Sequence, residues 1–210
     1  GPERRSNIMR EKDKIMTAYH EGGHALVAQV LPDSDNVHKV TIIPRGATGG
    51  VTWTIPEHDR PYTSMSEYKD ELARAMGGRI AEEVIYGRDH VTSGASSDLR
   101  HATAIARDMV IEQGMGKRLS DQSFHEDEGG LMMDRITREK PYSDKTAEEI
   151  DQEIRDLIEE ATRRARDIIK TNRALLEKLK EALLEHETLD ADEVAAILDG
   201  MVLPETAKLY

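Results

Sequence analysis

Cysteine is absent from the 210-residue chain, so neither a disulfide framework nor a thiolate metal site is open to it, and a reducing compartment is compatible with that usage. Aromatic residues make up only 4%, with one tryptophan, Trp53, and one phenylalanine, Phe124. Aliphatic side chains, Met and Ala must therefore fill any core. No apolar run approaches the ~20 residues that cross a bilayer, and no signal peptide is expected in this stretch. The fragment is accordingly expected to be soluble, without direct membrane insertion. An excess of positive charge is missing as well: the net charge is -12. With no basic stripe to offset it, a nucleic-acid partner is excluded from the expected list. A phosphate-cradling loop is also lacking, because Gly114-Met115-Gly116-Lys117 has the wrong spacing and no Ser or Thr after the lysine.

Against these absences stands Tyr19-His20-Glu21-Gly22-Gly23-His24-Ala25-Leu26, an H-E-x-x-H sequence inside an apolar-rich helical pattern. Residues four apart stack on one helix face, so His20 and His24 can offer two imidazole nitrogens to one metal ion. Glu21, one residue on, can reach a water beside that ion without ligating it, as the general base of a zinc hydrolase does. Two interior glycines cost a helix roughly 1 kcal/mol each against alanine. The expectation is that Gly22 and Gly23 are tolerated because they let backbone or substrate approach the metal.

Residues 6–31 read as one helix ended by Pro32-Asp33, and the alternating stretches 37–43 and 51–55 read as a β-hairpin around the glycine-rich turn 46–50. Ser64-x-x-Glu67 predicts a capped helix to Tyr86, and a small-residue loop from His90 to Asp98 leads to a helix over 99–113. The stretch 115–145, with Gly129-Gly130 and Pro141, reads as looser. Thr146-x-x-Glu149 predicts the cap of a long charged helix broken at Asn172, and Asp190-x-x-Glu193 caps a last helix ending at Gly200. The fold class is mainly α, an α-rich α+β arrangement. Its expected organisation is a zinc peptidase core over 1–145, a C-terminal helical part of the same domain over 146–203, and a tail over 204–210.

A hydrolytic zinc site needs a third protein ligand and an open position. A third histidine six residues after the second fails, since that position is Val30. Glu82, Glu83, Asp89, His90 and Asp98 remain. Asp98 is the best placed, because 98, 102, 105 and 109 share a helix face that Ala102, Ile105 and Met109 mark as buried. It either gives its carboxylate to a metal or caps the helix, and the residues alone leave both open.

HEGGHALVAQVLP, VHKVTIIPRG, MGGRIAEEVIYG, TSGASSDLRHATAIARDMV and GMGKRL, in this order, resemble the peptidase domain of the FtsH family of membrane-anchored ATP-dependent zinc metalloproteases. The similarity runs over nearly the whole chain. It implies one Zn2+ held by His20, His24 and Asp98, with Glu21 as catalytic base, so that loss of Glu82 or Asp89 should leave metal binding intact. It also implies a homo-hexameric, membrane-anchored parent whose peptidase part faces the cytoplasm or an equivalent organelle compartment. Such a parent degrades unfolded or membrane protein substrates in protein quality control, with ATP used only by a module missing from this chain. Family members usually carry Ala where this chain has Gly22, a departure that touches helix stability and not the ligands. The alternative expectation is a non-catalytic, zinc-stabilised assembly module of the hexamer.

Overall fold

The computed structural model describes residues 10–45, 49–54, 61–125 and 140–210. Residues 6–9, part of the 46–50 turn and Gly129-Gly130 lie outside these. Among the described residues are six α-helices and a three-stranded antiparallel sheet: α1 (Glu11–Val30), β1 (Val37–Thr41), β2 (Val51–Thr54), α2 (Met65–Tyr86), α3 (Ser96–Ile111), α4 (Asp144–Thr171), α5 (Arg173–His186), β3 (Thr188–Asp190) and α6 (Ala191–Ile197). The mainly α class read from the sequence holds.

α1 forms the centre because its middle is apolar on nearly every side: Ala18, Tyr19, Ala25, Leu26, Val27 and Ala28 are all buried. A helix with so wide an apolar surface must be surrounded. It packs most extensively on α2, which in turn packs on α4, while α5 closes the other flank of α1. Leu26, Leu72, Ile168, Leu176, Leu179 and Leu183 belong to one continuous core, with Met and Ala supplying the rest as the aromatic shortage requires.

The glycines of α1 do something other than expected. A Cβ on Gly23 would collide with the Gly77 carbonyl and lie 2.6 Å from Ala81 Cβ, so Gly23 and Gly77 are the crossing point at which α1 and α2 approach backbone to backbone. Gly22 faces Leu176 and Leu179 of α5, where an added Cβ would sit 3.2 Å from Leu176 Cδ1. Neither glycine makes room for a metal or substrate. An alanine at Gly22 would fit once Leu176 gave slightly.

The hairpin is present, with Lys39 opposite Trp53, Val40 opposite Thr52 and Thr41 opposite Val51. β3, a strand not expected from the sequence, adds to the other side of β1, pairing Val40 with Leu189. The strand order is β2-β1-β3, so β1 is central and, among the described residues, β2 is an edge.

Ser64 and Glu67 form the expected capping box, and Asp190 and Glu193 form the second. The cap of α4, by contrast, is Ser143, whose hydroxyl accepts from the Thr146 N–H; Thr146 lies inside the helix. Asn172 does break α4 from α5. Its buried amide donates to the carbonyls of Ile168 and Val202 and accepts from the Val202 N–H, which ties the joint to the C-terminal segment.

α4 is locked to α2 by a buried ion pair. Arg164, 2% exposed at the side chain, donates to Asp70, 0% exposed, at 2.7 Å. It also donates to the carbonyls of Lys69 and Ala207, while the Asp33 N–H donates to the other Asp70 oxygen at 3.0 Å. Removing either partner alone leaves an unpaired buried charge, a loss of about 3–5 kcal/mol. The 204–210 stretch is thus pinned at buried Ala207.

Candidate active site

α1 aligns His20 and His24 one turn apart, and α2 and α3 complete the arrangement. His20 Nε2 and His24 Nε2 lie 3.1 Å apart, and Asp98 Oδ2 lies 3.1 Å from the first and 3.2 Å from the second. Each residue's ligating atom lies within 4.8 Å of the others. Asp98 is therefore no cap. α3 begins at Ser96, which places Asp98 in the first turn with its carboxylate aimed across at α1, and the N-cap position is Ala95.

The far side of each ring decides what this triangle suits. His24 Nδ1 donates to the Arg74 carbonyl at 2.8 Å, a bond that needs the proton on Nδ1 and turns the Nε2 lone pair inward. His20 Nδ1 donates to Glu82 Oε2 at 2.6 Å, with the same consequence. Two inward lone pairs and a carboxylate converging on one point form a set of donors for a cation, oriented from behind as metal-ligating histidines usually are. The acidic neighbours also favour a proton on His20. Burial opposes a charged His20, but the hydrogen bonds to Asp98 and Glu82 and the nearby Glu21 charge outweigh it and push its pKa up to about 10. Burial likewise opposes ionised Asp98, yet His20 and His24 hold it well below the usual carboxylate range. Metal binding has to displace such a proton.

α2 supplies the space. A Cβ on Gly78 would lie 2.5 Å from both Nε2 atoms, so a side chain at this position would drive the two rings apart. Nothing in the sequence pattern alone flagged Gly78; only the crossing of α1 and α2 reveals what it faces.

The remaining carboxylates fall elsewhere. Fully buried Glu82 stands behind His20 and is held by Thr92, whose N–H donates to Oε1 at 3.0 Å and whose hydroxyl donates at 2.7 Å. Burial raises the Glu82 pKa, but His20 and Thr92 outweigh it and keep the carboxyl below its ordinary value. Glu83 accepts from Arg166. Asp89 and His90 are exposed on a 3-10 turn. Glu82 thus meets a histidine of the cluster from behind, which weighs against the expectation that its loss leaves metal binding intact. Glu82→Ala should weaken metal affinity about 10- to 100-fold by freeing the His20 ring. Titration of the metal-free variant with Zn2+ measures this; an affinity equal to that of the unmodified chain would return Glu82 to a purely structural role.

Glu21 stands outside the triangle, and its carboxylate meets β2. The Thr52 hydroxyl lies 2.7 Å from Glu21 Oε2 and 3.2 Å from its backbone carbonyl. His20, Glu21, His24, Asp98, Arg74, Thr92, Val51 and Thr52 all line one cleft of about 610 Å³.

A helical fold that buries H-E-x-x-H on its central helix and brings a distant carboxylate onto both histidines has the make-up of a metallopeptidase. The chain belongs to peptidase family M41, whose family description matches residues 7–197. It is similar to the ATP-dependent zinc metalloprotease FtsH 3 of Synechocystis sp., at 44% identity over 202 residues that cover 94% of this chain and 33% of that protein. It is also similar to FtsH 1 of Thermoanaerobacter sp., at 45% over 201 residues covering 95% and 33%. For FtsH of Haemophilus influenzae the figures are 42% over 200 residues, covering 95% and 32%. The chain spans about a third of the length of these relatives.

Proposed function

We propose that this chain is the cutting part of an ATP-dependent, membrane-anchored zinc protease, and that its cleft hydrolyses peptide bonds of unfolded polypeptides. The observation that carries the reading is the convergence of His20 Nε2, His24 Nε2 and Asp98 Oδ2 while both Nδ1 atoms are engaged elsewhere. These three residues would hold the zinc beside the cleft they line. When bound, zinc supplies Lewis acidity, lowering the pKa of water toward ~7 and stabilising the oxyanion that develops on the scissile carbonyl.

Glu21 takes the proton of the attacking water and returns it to the leaving amine. Its neighbours suit that task, because it sits on the same helix turn as the ligands yet outside their triangle. Substrate docking is assigned to the edge strand β2, beside the cleft. β1 is paired on both sides and cannot take a further strand. Strand addition at an edge holds substrate through its backbone and so demands little of its sequence.

No helix among the described residues is long and apolar enough to cross a membrane. Anchoring, the ATP-driven step and assembly into a homo-hexamer belong, in this proposal, to the two thirds of the relatives' length outside the match. The peptidase part then faces the cytoplasm or the equivalent organelle compartment.

Opening a folded substrate costs about 5–15 kcal/mol, which hydrolysis at the site cannot deliver in advance. The chain alone should therefore cleave a denatured, casein-like polypeptide in a manner blocked by a zinc chelator and indifferent to ATP, and should spare a stably folded control. Chelator-resistant cleavage of the unfolded chain, or ATP-stimulated loss of the folded one, contradicts the proposal.

A further inference from the structure

We infer that β2 is a positioning wall for Glu21, with Thr52 as the residue that orients its carboxylate. The inference rests on the reading of Glu21 as the base and deepens it.

A glutamate side chain has three rotatable bonds, and a base on a cleft wall loses effectiveness if its carboxylate samples several directions. Thr52 of β2 and Gly50, the residue just before that strand, restrict it. The Thr52 hydroxyl, 2.7 Å from Glu21 Oε2, has its single proton best placed on that oxygen; the backbone carbonyl at 3.2 Å is the weaker acceptor. At the strand entrance, a Cβ on Gly50 would lie 3.0 Å from Glu21 Cγ and 2.7 Å from the Thr41 carbonyl oxygen. Gly50 is thus in near-contact with the stem of the glutamate while Thr52 holds its end. Donation from Thr52 satisfies Oε2 and leaves Oε1 as the oxygen that accepts the proton of the attacking water.

The pairing of Thr52 with Val40 fixes this wall from behind, since Val40 is buried in the central strand and cannot shift without the core. The strand assigned to substrate docking therefore also sets the direction of the base. A peptide added along β2 would meet a base already aimed at the cleft.

The test uses the zinc-loaded chain, an unfolded peptide substrate, and Thr52→Val, Thr52→Ser and Glu21→Gln. Valine keeps shape and strand propensity but removes the hydroxyl. Thr52→Val should lower kcat about tenfold or more, with KM and zinc content within twofold of the unmodified chain, and Thr52→Ser should restore most of the rate. Crystal structures of the metal-free Val and Ser variants give a readout independent of turnover. The Glu21 carboxylate should be displaced or split between positions in the first and held in the second. A kcat within twofold for Thr52→Val, failure of serine to rescue, loss of zinc, or a Glu21 carboxylate unmoved in the Val structure overturns the inference. Full activity in Glu21→Gln overturns instead the assignment of the base, so the two failures are distinguishable.

Discussion

Glu21→Gln should keep its zinc and its melting temperature and lose peptide cleavage by roughly 10²- to 10⁴-fold or more. The amide is nearly isosteric and still offers an oxygen to the Thr52 hydroxyl, which Glu21 now accepts at 2.7 Å. The side chain is buried against β2, and its place in the fold does not depend on its charge reaching a partner cation. What the substitution removes is the ability to accept and return a proton. Because Glu21 lies outside the His20, His24 and Asp98 cluster, metal content should be unaffected. Metal analysis beside kcat on an unfolded peptide separates the two quantities. An active, zinc-replete Glu21→Gln would place the base elsewhere.

Asp98→Ala should reduce both zinc occupancy and activity to near background. The carboxylate is the only negatively charged donor in the cluster of three, and it is 3.1 Å and 3.2 Å from the two histidine nitrogens. Two neutral imidazoles alone make a poor site for a divalent cation, since hydrolytic zinc sites use three protein ligands. Asp89→Ala serves as the control, because Asp89 is exposed and is not in the cluster. The fold should survive in both variants, as α3 remains anchored by buried Ala102, Ala106, Met109 and Val110. Zinc measured at one equivalent in folded Asp98→Ala would remove this residue from the ligand set.

These two variants also test unlike kinds of knowledge. Glu21 is named by a spacing that any helix imposes, because His20, Glu21 and His24 lie within one and a quarter turns and their relative directions follow from helix geometry. Local rules of the same reach made other parts legible: the capping boxes at Ser64 and Asp190, the alternation that pairs β1 with β2, the break at Asn172, and the mainly α class itself. Where a local rule had two nearby candidates it could mislead, as at Ser143 and Thr146, since either hydroxyl can cap a turn and only the surrounding packing selects one.

The sequence by itself determined the class of chemistry, because two histidines and a glutamate at helical spacing need no partner to share a face. It narrowed the third donor to a handful of acidic and histidine residues and, through family resemblance, to Asp98. The tertiary structure decided what each of these residues touches. Glu82 and Asp98 are both carboxylates near an apolar helix face, and what separates them is that one meets His20 Nδ1 while the other meets Nε2. That distinction arises from the crossing of α1 and α2 at Gly23 and Gly77 and from the space left by Gly78. The approach of β2 to Glu21 through Thr52 has the same character. Contacts between residues about 30 to 80 positions apart depend on how whole helices and strands pack, and no periodicity within one element encodes them.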